Sequence, residues 1–422
     1  MSLKGTTRPI LPALFNLDHS ALERLRERFM CFHDTRVVGR VRHILHEVLV
    51  MAFCAMLSDN SDYTDMAEFC RSQKTWFAGF LTLKNGVPSH DIFRNVFMLV
   101  RPTALLEVLQ EWCGPLVDKH IAIDGKALRG TYDRRIHKCM AHVLRAWVVE
   151  DGLSAWHVMC DDKSNEITAL PELLSALDLN GTTVTIDAMA GHPHIVKQIH
   201  EAGGHYVQAL KANEKEAFET IKTKFEAIDE ILQPAKRHNG DALAKIAKAP
   251  AKHLQPPMPT PQQQKAAGLK MAETIEFSHG RYEHRRISVL QNLGWYPKSW
   301  KWEGLQSIVR VERWTQRGEK SGELAYEAHF YLSDLLAEPL VFAKTIRAHW
   351  GVENSCHYVL DVTFNEDHCQ VRDVTAAHNL CIMREMVIKV LKAHPGKGSV
   401  RSKRKRAAHD AEFRTAILTR IP

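Results

Sequence analysis

An α/β fold, with a helical unit before it, a β-rich insertion within it and a basic C-terminal tail after it, is predicted by three features of this 422-residue sequence. Short apolar and β-branched runs alternate with helix-period runs between residues 115 and 210, the pattern of a sheet with some parallel pairing. The first hundred residues carry apolar side chains at helical spacing instead. Past residue 268, several runs show the two-residue alternation or β-rich composition of strands.

The elements follow in order. HILHEVLVMAFCA (43–55) has helical apolar spacing, and a second such run passes through Met66, Phe69 and Trp76. NGVPSHDIFRNVF (85–97) opens on an Asn-Gly-x-Pro turn, and Ser89 and Asp91 are both able to cap the helix carrying Phe93 and Phe97. After Pro115, HIAIDGK (120–126) reads as a short apolar strand ending in an acid, and RAWVVEDGLSAWHVMC (145–160) as a hairpin turning at Asp151-Gly152. EITALPELLSALDL (166–179) is helical, TTVTIDAM (182–189) a β-branched strand, HIVKQIHEAG (194–203) helical and HYVQAL (205–210) a strand. Residues 233–268, rich in Pro, Gln, Ala and Lys, cannot supply much core and read as an exposed linker or loop. TIEFSHGRYEHRRISVL, SIVRVERWT and AYEAHFYLS then form the β-rich insertion. Helical patterning returns from Pro339 through Val390, and KGSVRSKRKRAAHDAEF closes the chain as a surface helix or a mobile tail.

The formal net charge is +7, with Lys and Arg concentrated from Lys397 to Arg406. A polyanion such as nucleic acid fits that balance, and a merely basic soluble enzyme fits it equally well. The nine cysteines are scattered and form no Cys-x-x-Cys pair, which argues for reduced thiols in a cytoplasmic protein rather than a disulfide framework or zinc ribbon. Cys356, His357, His368 and Cys369 also lack the paired spacing of a structural zinc site. No charged-then-apolar leader and no membrane-length apolar run is visible, so neither secretion nor membrane insertion is expected. A phosphate-binding Gly-x-x-x-x-Gly-Lys-Ser/Thr loop and a Gly-x-Ser-x-Gly elbow are both missing, which points away from ATP hydrolysis and serine hydrolysis.

Asp124 and Asp187 each follow an apolar strand, at the edge where α/β sheets gather ligands, and neighbouring strands can bring two carboxylates to one metal. An Asp at a strand end also caps turns, and Asp124-Gly125 is a common turn dipeptide. Glu353 lies in IRAHWGVENSCHYVLDVTFNEDH (346–368), beside a helical stripe of Trp350, Asn354 and His357. Taken alone it reads as an ordinary solvated acid on an amphipathic helix.

IDGKALRG, KSNEITALPELL, TIDAM, YVQALKANE, HGRYEHR, IRAHWGVENSCHYVLDVTFNED and NGVPSHDIFRNVF together resemble the H-repeat-associated insertion-sequence transposases of the DDE superfamily, in order from about residue 40 to 415. The resemblance implies an RNase H-like catalytic core with a triad of Asp124 in IDGK, Asp187 in TIDAM and Glu353 in HWGVEN. Related transposases with a β-strand insertion often place Tyr and Arg before the final Glu and Lys after it. Ile346, His349 and Leu360 stand there instead, so His349 either takes over the phosphate-facing role of the Arg or is a buried structural histidine. Gly191-His192-Pro193 departs from the Gln-containing segment usual after the second Asp.

The resemblance divides the chain into an N-terminal helical transposase-associated domain (1–110), a first part of the catalytic core (111–232), linker and β-rich insertion (233–324), a second core part with the Glu helix (325–392) and a basic C-terminal segment (393–422). It implies two Mg²⁺ ions, with Mn²⁺ able to replace them, held by oxygen ligands. Such ions about 3.5–4 Å apart activate the attacking oxygen and stabilise the leaving one in displacement at phosphorus. Water and then a 3′-hydroxyl would be the nucleophiles. Lys126, Arg129 and Lys211 are candidates for phosphate contact, with ordinary solvation the alternative. Asn354 and His357 are placed to orient Glu353 or touch substrate. Trp295, Trp300 and Trp302 offer stacking surfaces for a base, although core packing is the commoner fate of Trp. The expected partners are terminal inverted repeats and target DNA, with a homodimer on paired ends and nucleoid association in the cytoplasm. A catalytically silent DNA-binding relic and a nuclease without strand transfer are the alternatives.

Overall fold

The computed structural model describes residues 19–37, 39, 41–132, 140–160, 166–187, 191–232, 258–278, 281–317 and 324–422. Six helices come first: α1 (His19–Met30), α2 (Leu45–Leu57), α3 (Tyr63–Ser72), α4 (Lys74–Phe77), α5 (His90–Leu99) and α6 (Pro102–Cys113). α2 is apolar all round and correspondingly buried, from Val48 to Leu57 without a break. Asp62 caps α3 by accepting from the Asp65 amide at 2.9 Å. Ser89 occupies the N-cap of α5 without a side-chain capping bond.

The chain then enters a mixed sheet. β1 (His120–Leu128), β2 (Ala141–Val148) and β3 (Leu153–Cys160) form an antiparallel meander, with the β2–β3 turn at Gly152 in the left-handed region (φ +60°) that glycine tolerates. After α7 (Glu166–Ser175), β4 (Thr183–Ile186) pairs parallel with β1, and after α8 (Pro193–Glu201), β5 (His205–Leu210) pairs parallel with β4. The intervening helices carry their apolar residues on one face, Ile195, Val196 and Ile199 in α8, which is what a parallel crossover requires.

α9 (Lys215–Leu232) buries Ala217, Ile221, Phe225, Ile228 and Leu232 at spacings of three and four. Most of the Pro/Gln-rich stretch, 233–257, lies outside the described residues. Its end is helical rather than a loop: Thr260 and Gln263 form a reciprocal capping box for α10 (Pro261–Ala266). β6 (Leu269–Ser278), β7 (Arg281–Leu290), β8 (Ser307–Arg317) and β9 (Leu324–Ser333) follow as an antiparallel meander. β9 pairs antiparallel with β5, so the insertion extends the first sheet instead of forming its own, giving nine strands in the order β3-β2-β1-β4-β5-β9-β8-β7-β6.

The last helices are α11 (Pro339–His349), α12 (Tyr358–Phe364), α13 (Val374–Ala393), α14 (Val400–His409) and α15 (Ala411–Leu418). α13 is the spine of the molecule. It packs on α2, α5, α6 and β3, and Asn379 donates to the carbonyls of Phe97 (2.8 Å) and Val100 (2.7 Å). One hydrophobic cluster runs from Leu22 through the sheet to Ile421.

Of the two expectations for the C-terminus, the helix is observed and the mobile tail is not, and the helix is docked through part of its basic side chains. Arg404 is buried, lies 3.9 Å from the Phe364 ring centroid and donates to the Met56 carbonyl and the Ser61 hydroxyl. Arg414 lies over Trp76 and donates to Gln73. The cause is that a guanidinium combines an apolar planar face with directional donors, so it stacks while it satisfies carbonyls, and the adjacent buried Lys403 likewise donates to the Leu391 and His394 carbonyls. Lys397, Arg401, Lys405 and Arg406 remain exposed.

Candidate active site

Asp124 is not at the end of its strand, as the sequence suggests. β1 continues to Leu128 against β2, but its parallel pairing with β4 stops at Ile123 opposite Ile186. Asp124 and Asp187 are therefore the next residues on two neighbouring strands, whose spacing is about 4.8 Å. β1 is buried up to Ile123 and only half-buried from Asp124 to Ala127, so the carboxylate stands where the sheet opens to solvent.

Glu353 reaches the same place from the other side. The helix after Trp350 opens into a π-helical turn at Glu353–His357 before α12. Buried side chains there recur every four residues, at Val352, Cys356, Leu360 and Phe364. At 3.6 residues per turn such a series drifts around an α-helix, and a wider turn absorbs part of the drift while turning Glu353 and Asn354 outward.

Asp124 feels the charge of the other two acids. Burial pushes the Asp124 carboxyl up to about 6; the Gly125 amide, donating at 2.9 Å, opposes this, and the charges of Glu353 and Asp187 add to it. Lys211 Nζ lies 3.0 Å from Asp187 Oδ1, a cation already standing against the cluster. His357 Nδ1 lies 3.5 Å from Asp124 Oδ2, and burial, together with the Arg145 and Lys126 charges, lowers its pKa to about 3, which leaves the ring neutral. Carboxylates gathered in this way suit a hard divalent cation that takes oxygen ligands.

The remaining residues singled out in the sequence divide. Lys126 is mostly buried and donates to Asp361 and, at 2.9 Å, to Glu366, so its charge is committed inside the protein and not to open solvent. Arg129 is exposed and lies 3.4 Å from Asp367. His349 is held from behind: its Nδ1 is 2.9 Å from the Thr185 hydroxyl, which is 2.8 Å from His120 Nε2. Burial lowers the pKa of both rings to about 4. His349 also lines, with Asp187, Lys211 and Trp350, a small pocket beside the acids. Trp302 is buried and Trp295 and Trp300 pack against the core, so these three follow the packing alternative.

Beneath the acids lies a charge network that the sequence reading does not contain. Arg145, paired across the ladder with Asp124, is fully buried and donates to Glu385 at 2.9 Å and to Cys381 Sγ at 2.7 Å. Glu366 accepts from Lys126 and Arg384. Burial alone would raise the Glu366 pKa, but the Arg384, Lys126 and Arg145 charges outweigh it and bring the value to about 2. His157, Cys381 and Glu385 converge closely enough to suggest a second metal site, yet the Arg145 guanidinium already supplies the positive charge there. The available signal was an arginine inside the apolar run of β2, Leu144-Arg145-Ala146.

Comparison with known proteins gives two family matches, "DDE_Tnp_1-associated" over residues 26–113 and "Transposase DDE domain" over residues 115–388. The Escherichia coli (strain K12) protein "H repeat-associated putative transposase YhhI" is 30% identical over 408 residues, covering 94% of this chain and 98% of its own length. "Putative transposase YncI" of Escherichia coli O157:H7 is 28% identical over 405 residues, with 94% and 95% covered. Among solved structures, the piggyBac transposase synaptic complex with hairpin DNA matches at a TM-score of 0.37 and 12% identity, covering 95% of this chain and 78% of that one. With the catalytic-domain match spanning most of its length, and a full-length relative in the H-repeat group, the chain belongs to the transposase DDE domain family.

Proposed function

We propose that the chain is a DNA transposase that cuts the ends of an insertion sequence and joins them to target DNA, with Asp124, Asp187 and Glu353 as the residues that would hold two divalent cations. The observation that carries this reading is the juxtaposition of Asp124 and Asp187 on adjacent parallel strands, with Glu353 near enough to raise the proton affinity of Asp124. The strand order β3-β2-β1-β4-β5, with β2 and β3 antiparallel and β4 and β5 parallel to β1, supports an RNase H-like core. When bound, Mg²⁺, or Mn²⁺ in its place, supplies Lewis acidity at the phosphorus centre and offsets the charge of the leaving oxygen.

The protein's own groups do the rest. Asp124 is kept in orientation by the Gly125 amide and the neutral His357 ring. Lys211 exchanges its contact with Asp187 for a DNA phosphate, and Arg129 does the same from Asp367. Asn354, exposed beside Glu353, is available to substrate. Two copies are needed to pair two element ends.

The test is incubation of the purified chain with labelled element ends and a target plasmid in Mg²⁺, alongside Glu353→Gln. Joined products that disappear in the variant are expected. Cleavage without joining would point to a nuclease, and end binding without cleavage to a silent DNA-binding protein.

A further inference from the structure

The nine-stranded sheet ends in two strands whose outer edges are finished differently. At β3 the backbone of Ser154 is taken up by side chains: its amide donates to Glu385 at 3.3 Å and its carbonyl accepts from Cys113 at 3.6 Å. At β6 the Met271 amide points away from β7 and donates to Gln264 of α10 at 3.1 Å. Backbone groups alternate sides along a strand, so those of Glu273, Ile275 and Phe277 point outward too. Among the described residues nothing bonds to them.

The side chains of these three residues share one face of the sheet. There Ile275 and Phe277 are 59% and 66% exposed, and Tyr326, in line with Ile275 through His284 and Trp314, is open as well. Glu273 is already neutralised: its Oε1 accepts from Arg286 Nε at 2.7 Å and its Oε2 lies 3.4 Å from His284 Nε2. Natural strand edges are commonly blunted by Lys, Pro or a bulge, and none of these occurs from Glu273 to Phe277.

We propose that this edge is an interface between two copies of the chain, with β6 pairing antiparallel to β6 of a second copy about a two-fold axis through Ile275. The occupant follows from the register. Centred on Ile275, the pairing uses all three open positions: Ile275 meets its own copy, and Glu273 meets Phe277 on each side of the axis. On the opposite face Thr274 meets Glu276, a hydroxyl against a carboxylate, so no like charges are opposed. Centring one residue earlier needs the Met271 amide, which Gln264 holds, and centring one residue later sets Glu276 against itself. A self-complementary contact of this kind closes at two copies and joins the two sheets into one. It goes beyond the transposase reading and does not depend on it, while supplying the two copies that paired element ends require.

The full chain, without DNA or divalent cation, is sedimented across a concentration series beside Ile275→Lys and Ile275→Pro, with thermal melts as the folding control. Wild type is expected to dimerise. Ile275→Lys should weaken the dimer at least about tenfold by opposing two charges on the axis. Ile275→Pro should do the same while melting near wild type, because the lost N–H points outward and takes no part in the β6–β7 ladder. The register is read by cross-linking: Ile275→Cys should give a disulfide-linked dimer under mild oxidation, since Cα atoms across a hydrogen-bonded antiparallel pair are about 5.5 Å apart. Wild type, in which Cys31 is exposed, and Lys270→Cys, away from the axis, set the background. A wild type that stays monomeric at every concentration overturns the proposal and leaves the edge to a strand of another protein. A dimer that neither substitution weakens, or an Ile275→Cys variant that cross-links no more than background, overturns it as well.

Discussion

Asp124 and Asp187 each sit one residue beyond the last paired positions, Ile123 and Ile186, of two parallel strands, so their carboxylates leave the sheet side by side where it stops being sealed. The protein thus assembles negative charge at a point that burial makes expensive.

That arrangement predicts a stability cost in the absence of cation. The Asp124 pKa is raised from 3.8 to about 6, so the native state favours the protonated form; the stabilisation this gives is complete below 3.8 and lost as pH rises through about 6. Well above that pH, Asp124→Asn should melt about 1–3 °C higher than wild type in EDTA while losing the stabilisation that Mg²⁺ gives wild type. Thermal melts with and without Mg²⁺ check this, and a variant melting lower than wild type in EDTA would contradict it.

Glu385 should matter to folding more than to DNA. It is buried against Arg145 at 2.9 Å and His157 at 3.3 Å, and its removal leaves a guanidinium without its main counter-charge. Glu385→Ala is expected to cost about 3–5 kcal/mol in urea unfolding, the usual penalty for breaking a buried pair. A loss under 1 kcal/mol would show that Glu366, 3.8 Å from Arg145, suffices alone.

Acid should loosen the protein through its histidines. His120 and His349 are held at about 4 and His357 at about 3 by burial, all below the ordinary 6.5. Because the unfolded chain takes up protons first, stability should fall as pH drops from 6.5 through about 4. Thr185→Val removes the hydroxyl bridging His120 and His349, strands two ring nitrogens and should cost about 1–3 kcal/mol. Denaturant curves at neutral pH give the number directly, and an isostable variant would mean that water replaces the bridge.

The basic C-terminus is predicted to be structural on one side. Arg404→Ala removes the stack on Phe364, three hydrogen bonds and the pair with Asp59, and should destabilise by about 2–4 kcal/mol. Lys405→Ala, on the exposed side of the same helix, should leave the melting temperature unchanged. Equal behaviour of the two variants would argue that the C-terminal helices are not docked.

Periodicity by itself determined most elements from α2 to β5, because amphipathic spacing is written locally: the hairpin turn at Gly152, α8 and the β-rich runs beyond residue 268 follow from it. Motif resemblance supplied Asp124, Asp187 and Glu353 as a set. Only the tertiary structure decided that β9 joins β5 and makes one nine-stranded sheet, since strand pairing depends on partners distant in sequence. It also decided that Lys126 faces inward to Asp361 and Glu366, that Arg404 is packed while Lys405 is wet, and that Trp350, not the tryptophans of the insertion, stands open beside the acids. A charged or aromatic side chain carries no local mark of its counter-ion or its cavity; those are set by what the fold brings opposite it.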